Sequence, residues 1–119
     1  MSTLFQLIKQ SPACTAVLGT NPVRFFEFGS APQLQTAPYA TFQVINGTPF
    51  NKLSGPAAAD QITYQIDAWA KSAAEIKTLA EAIREAIEGS GYIVFFNTGK
   101  DEESGLFRYT TRFQSIHLR

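Results

Sequence analysis

The chain has 119 residues, 45% of them hydrophobic and 17% charged, which suits one globular domain spanning residues 1–119 and excludes extensive disorder. Ten basic residues balance ten acidic ones and neither sign forms a long run, which excludes a protein whose main task is gripping phosphates. The single cysteine, Cys14, excludes an internal disulfide and a cysteine-built metal site, and no run approaches the roughly 20 apolar residues that cross a bilayer as a helix.

In chain order, "STLFQLIKQ" and "SPACTAVLG" predict two short helices, the second with Pro12 in its first turn and Gly19 as its stop. "VRFFEF", Val23 to Phe28, predicts a strand ended by a turn at Gly29 to Pro32. After a polar connection, "YATFQVING" predicts a strand with Ala40, Phe42 and Val44 on one side. "TPFNKLSGPAAAD" breaks the alternation and reads as a long loop from Thr48 to Asp60.

Next comes the clearest pattern in the chain. Ile62, Tyr64, Ile66 and Ala68 share one face of a strand, and Thr63, Gln65, Asp67 and Trp69 share the other. Ser72 and Glu75 then have the spacing of a capping box, and Ile76, Leu79, Ala80, Ile83, Ala86 and Ile87 form the apolar stripe of a helix roughly 25 Å long. "GSG", Gly89 to Gly91, predicts a helix end in which glycine takes the left-handed conformation. "YIVFFNT" predicts a strand covered on both faces, "GKDEESG" a charged loop, and "LFRYTTRFQSIHL" a strand with Phe107, Tyr109, Thr111 and Phe113 opposite Arg108, Thr110, Arg112 and Gln114. The fold class is therefore α+β: an antiparallel sheet with one long helix packed across one face, preceded by short N-terminal helices.

Catalytic chemistry finds little support. His117 is the sole histidine and has no cysteine or carboxylate at motif spacing, and Cys14 reads as a small buried residue. No phosphate-binding glycine loop, nucleophile elbow or calcium-loop spacing is present, so no catalytic residue, metal or cofactor is expected. Asp67 and the run Asp101 to Glu103 read as a solvated face and a charged loop tip. Phe107 and Tyr109 alternate with Arg108, so they do not form the mixed aromatic and basic surface of an RNA-binding sheet. Trp69 has two readings, a core residue under the helix start or an anchor at a subunit contact.

Pro38-Tyr39 before a strand, the Gly55-Pro56 loop, and Gln65-Ile66-Asp67 followed by Trp69-Ala70 and a capped helix resemble the tail completion, or tail terminator, family of long-tailed bacteriophages and prophages. The resemblance spans residues 38–91, and Gln61 and Thr63 depart from it where many members carry an arginine. It implies a structural virion protein without catalysis, a homo-oligomer, commonly a hexameric ring, that caps the tail tube and joins the tail to the head connector. The implied partners are the tail tube protein and the head connector protein, and DNA passes through the ring without sequence-specific binding. The implied location is the head–tail junction of the virion, after synthesis in the bacterial host cytoplasm and without a membrane stage.

In that frame Trp69, Asp67, Arg108 and Arg112 are the expected subunit interface. The loops Thr48 to Asp60 and Thr98 to Gly105 are expected to bind tube or connector, with Phe50 and Leu53 as apolar anchors and Lys52, Lys100, Asp101, Glu102 and Glu103 setting electrostatic register. The competing reading is a small α+β ligand-binding or nucleic-acid-binding domain, which requires a pocket of convergent polar groups or salt-dependent retention on nucleic acid.

Overall fold

The alternation of the central strand is what assembles the sheet. Tyr64, Ile66, Ala68 and Ala70 are buried at 3% exposure or less beneath helices, while Thr63, Gln65, Asp67 and Trp69 lie on the opposite face. The computed structural model describes residues 2–20, 23–27, 37–52 and 55–118, with side chains for 4–20, 23–27, 37–49 and 59–116. Its elements are α1 (Ser2–Lys9), α2 (Pro12–Leu18), β1 (Phe25–Glu27), β2 (Tyr39–Lys52), β3 (Gly55–Ala70), α3 (Ala73–Ile87), β4 (Tyr92–Lys100) and β5 (Phe107–Leu118). They form an α+β fold with one five-stranded sheet in the order β1-β2-β3-β5-β4.

The helices follow their local signals. Ser11 Oγ accepts the Cys14 amide at 3.2 Å, Pro12 occupies the first turn of α2, and Gly19 ends it at φ 86°. At α3, Ser72 Oγ accepts the Glu75 amide at 3.1 Å and Glu75 Oε1 accepts the Lys71 amide at 3.0 Å, a reciprocal cap reaching one residue further back than the usual box. Ile76, Leu79, Ala82, Ile83 and Ile87 are the buried stripe of α3, which packs over β3 and β5 and against α1 and α2. Leu4, Ile8, Cys14 and Leu18 close the same core from the N-terminal helices, and each fully buried aliphatic side chain contributes roughly 1.5–3 kcal/mol.

Several expectations need correction. Thr48 to Asp60 is not a loop: β2 continues to Lys52 and β3 begins at Gly55, making a long antiparallel hairpin that pairs Lys52 with Gly55. Its prolines are tolerated because the strands have free sides there. β2 is flanked by β1 only at Ala40–Phe42, and β5 reaches no further along β3 than Ala59, which leaves Pro49 with a strand on one side, where it pairs with Asp60, and Pro56 in the irregular stretch between Gly55 and Ala59, among the described residues. Of the strand expected at Val23 to Phe28, the described residues show Phe25–Glu27, and Val23 and Arg24 stay outside it because the Arg24 amide is held by Leu18 O at 3.0 Å and its side chain donates to Val17 O and Pro38 O. Phe28, the turn at 29–32 and Leu53 lie outside the described residues. β1 pairs with β2 in parallel, so the sheet is antiparallel only from β2 onward.

At the far edge, β4 is not covered on both faces. Tyr92, Val94, Phe95 and Phe96 are 71%, 51%, 44% and 58% exposed, since α3 sits over β3 and β5 and β4 is the outermost strand. Nor does α3 end on a left-handed glycine. It tightens into a 3₁₀ turn at Glu88–Ser90, and Gly91 is extended at φ 171°. Gly91 is needed for close approach instead: a Cβ there would meet Gln114 O at 2.1 Å and the Phe113 ring at 2.8 Å.

Two predictions follow from this packing. Gly91→Ala is expected to lower stability by about 2 kcal/mol or more, whereas Gly89→Ala, which faces open space, should stay within about 0.5 kcal/mol. Urea unfolding of both variants measures this, and equal midpoints would contradict the close approach. Burial raises the phenol pKa of Tyr39, Tyr64 and Tyr109 above the ordinary 10.0, so the folded chain holds these protons longer than the unfolded one. Their contribution to stability is complete below pH 10.0 and is lost as pH rises through the raised values. Tyrosinate absorbance and circular dichroism recorded together should show buried-tyrosine ionisation coinciding with unfolding; full ionisation of an intact fold would refute this.

Candidate assembly surface

The helix-free face of the sheet is ordered by three cross-strand rows. Tyr39, Trp69, Arg108 and Gly99 form one; Thr41, Asp67, Thr110 and Asn97 the next; Gln43, Gln65, Arg112 and Phe95 the third. All four residues expected at a subunit interface, Trp69, Asp67, Arg108 and Arg112, are therefore brought onto one face.

Their roles differ. Asp67 is 5% exposed and its carboxylate is the hub of the face: Oδ1 accepts from Arg108 Nη2 at 2.9 Å and Thr110 Oγ1 at 2.7 Å, and Oδ2 accepts from Gln65 Nε2 at 3.0 Å. This overturns its reading as a solvated acid, because alternation reports which face a side chain is on and not how deeply neighbours cover it. Arg112 Nε reaches Gln65 Oε1 at 3.4 Å, which extends the network to the third row. Asp67 thus positions Arg108 on this face.

Trp69 is not under the helix start. It stacks on Tyr39 with centroids 4.9 Å apart and carries the Arg108 guanidinium 5.7 Å from its ring. Arg112 lies 5.2 Å from the Phe95 ring in the same way. Phe107 and Tyr109 do face away from the arginines, yet Tyr39, Trp69 and Phe95 arrive from other strands and create a mixed aromatic and arginine surface all the same. Sequence reading missed Tyr39 and Phe95, whose alignment with the arginines is a matter of register between strands.

The remaining expected contact residues separate. Phe50 and Lys52 belong to β2 near the end of the hairpin, and Lys100 closes β4. Thr98 to Lys100 are strand residues, so the loop expected from Thr98 to Gly105 is reduced to a tight turn. Asp101 builds that turn: its Oδ1 accepts the Glu103 amide at 3.2 Å, its Oδ2 accepts Ser104 Oγ at 2.9 Å, and its backbone pairs with Leu106 and Gly105. Glu102 and Glu103 stay exposed at the tip.

On the helical side, a groove of about 490 Å³ runs between α3 and β4, lined by Ile76, Ala80, Arg84, Phe96 and Tyr109. Arg84 stacks 5.4 Å from the Phe96 ring and pairs with Glu88 at 3.1 Å. The groove is mainly apolar, with Lys77, Glu81 and Lys100 joining Arg84 in its lining. Among the described residues no group of three or more His, Cys, Asp or Glu is placed to hold a metal ion. Cys14 is fully buried, and that burial pushes its thiol pKa up, away from nucleophilic reactivity.

Asp67→Ala is expected to cost about 3 kcal/mol, since it strands three buried or half-buried donors. Arg108→Ala should cost about 1 kcal/mol or less, because its side chain is 47% exposed. Chemical denaturation of the two single variants and the double variant tests the assignment; an Asp67 cost as small as the Arg108 cost would remove Asp67 as the hub.

Residues 2–117 match the family model described as Tail completion protein gp17. In fold, the chain is similar to a chain of a solved structure described as the virion of a native gene transfer agent particle, with a TM-score of 0.76 at 13% identity, covering 98% of this chain and 92% of that one. No curated protein sequence matches the chain.

Proposed function

The chain belongs to the tail completion protein gp17 family, and from that premise we propose that it is a ring-forming subunit that closes the tail tube and joins the tail to the head connector. Family membership carries the coarser statement, a structural protein associated with the tail of a virion. The observation that supports the finer one is the form of the sheet. Residues 1–119 act in this reading as one domain whose two sheet edges and helix-free face are, among the described residues, open to neighbours.

In the proposed ring, commonly of six copies, the helical layer stiffens each subunit and the aromatic and arginine rows supply surface for packing between copies. Trp69, Arg108 and Arg112 make those contacts, and Asp67 holds Arg108 in place for them. Phe50 and Lys52 near the end of the β2–β3 hairpin, the expected anchor Leu53, and the Asp101 to Glu103 turn reach the tube and connector proteins. A formal charge of zero suits a ring through which DNA passes without being gripped. The role is structural, at the head–tail junction, following synthesis in the host cytoplasm.

The experiment is genetic and biochemical. Particles made without this chain should accumulate as filled heads and separate tails, and purified protein added to the tails should restore joining. Phe50→Ser with Leu53→Ser should retain the circular dichroism of the parent yet restore joining at least about tenfold less efficiently. Normal yields of joined particles in the absence of the chain would overturn the proposal.

A further inference from the structure

The sheet has two unlike open edges that fit each other. β4 is outermost, and natural outer strands are usually protected by charge or proline, yet its nine residues Tyr92–Lys100 include no proline and a single charge, Lys100. Four of its apolar side chains, Tyr92, Val94, Phe95 and Phe96, are 44% to 71% exposed. At the opposite end, β1 covers β2 only at Ala40–Phe42, so the outer side of β2 from Gln43 to Lys52 has no strand partner among the described residues. Val44 and Ile45 on that stretch are 48% and 40% exposed.

We propose that successive copies of this chain join head to tail by pairing β4 of one protomer with the uncovered stretch of β2 in the next, in antiparallel sense. This rests on the ring reading above. Strand direction allows it without inverting a subunit: β2, β3, β5 and β4 are each antiparallel to the next, so β2 and β4 run in opposite directions. Two different edges make a heterologous contact, the kind that closes into a ring when the rotation between copies permits.

Length and side-chain direction select a register. The uncovered stretch, residues 43–52, matches the length of β4, and the end of β1 at Glu27 stops β4 from sliding further. Asn46 shares the helix-free face with Thr63, and Asn97 shares it with Thr110; Gly47 and Phe96 are both on the helical side. Pairing Asn97 with Asn46 of the next copy aligns the faces from Phe95 opposite Thr48 to Asn97 opposite Asn46 and lays Phe96 over Gly47, where a missing side chain leaves room for a ring; beyond this core the irregularities between Val44 and Asn46 and between Ile93 and Phe95 each set one residue outside the ladder. With Ile45 outside the ladder, Gly99 falls opposite Gln43 and Lys100 meets the end of β1 at Glu27 of the next copy, both on the helical side of the sheet and of opposite charge. That complementarity, supplied by the chain itself at both edges, favours a second copy over a foreign strand.

Size explains why each contact alone is weak. At roughly 150–250 Å² per aromatic side chain, the exposed parts of the four β4 residues amount to a few hundred Å², about half of one partner's share of a standard stable interface, and Val44 and Ile45 offer less on the β2 edge. Pro49 also lacks an amide for the ladder. Copies held at both edges in a closed ring are retained where an isolated pair would dissociate.

The test uses assembled particles carrying Asn46→Cys and Asn97→Cys in one chain, oxidised and run on a denaturing gel. A ladder of disulfide-linked multimers is expected from the double variant and none from either single variant, with Cys14 buried and silent. Particles that contain the chain but yield no ladder, or single variants that cross-link as readily, would overturn the edge contact while leaving the ring reading standing. Absence of the chain from joined particles would instead overturn the ring reading. As a control against misfolding, Glu27→Lys should reduce joining roughly tenfold and Lys100→Glu in the same chain should restore it; no loss, or no restoration, counts against the contact.

Discussion

The register of β3 is the constraint on which the rest of the molecule depends. Its period of two puts Tyr64, Ile66, Ala68 and Ala70 under the helices and Asp67 among polar donors on the other face. A slip of one residue would move the apolar set into water and the carboxylate into the core, where no donors are arranged for it. Because β2 and β5 both pair directly with β3, that one register aligns the aromatic and arginine rows from Tyr39 to Phe95. The helical layer depends on it too, since α3 can bury its stripe only against the apolar side of β3 and β5.

Where local pattern and environment agree, the fold was legible in the sequence. β3, β5 and α3 announce themselves by periodicity, and Ser72 with Glu75 marks the helix start as the structure has it. The failures share a physical cause: sequence shows what a residue prefers, whereas exposure depends on which strand ends up outermost. The run Tyr92 to Phe96 has the composition of a covered strand and is instead an uncovered edge. Pro49, Gly55 and Pro56 suggest a loop but sit where strands have a free side. Phe25 to Glu27 could not be recognised as a parallel partner of β2, because that pairing is made across a long connection.

The candidate assembly surface was legible only in part. Trp69, Asp67, Arg108 and Arg112 could be named because they share faces along single strands, while Tyr39 and Phe95 join them only through pairing. Asp67 is buried on this face, and its carboxylate orients Arg108. This division suits an assembling protein. A subunit that must be stable alone and also associate keeps its charge network satisfied internally and leaves apolar surface uncovered, as at β4 and the groove beside it.

Membership in a tail completion family, an open-edged sheet among the described residues and an internally satisfied polar face support the proposal that this subunit works in a closed assembly. Electron cryo-microscopy of purified particles carrying this chain tests that claim most directly. The account predicts a closed ring of copies at the head-proximal end of the tail tube, with continuous sheet density from each copy to the next. A single copy bound off the tail axis, or density at the junction that this fold cannot fit, would contradict it.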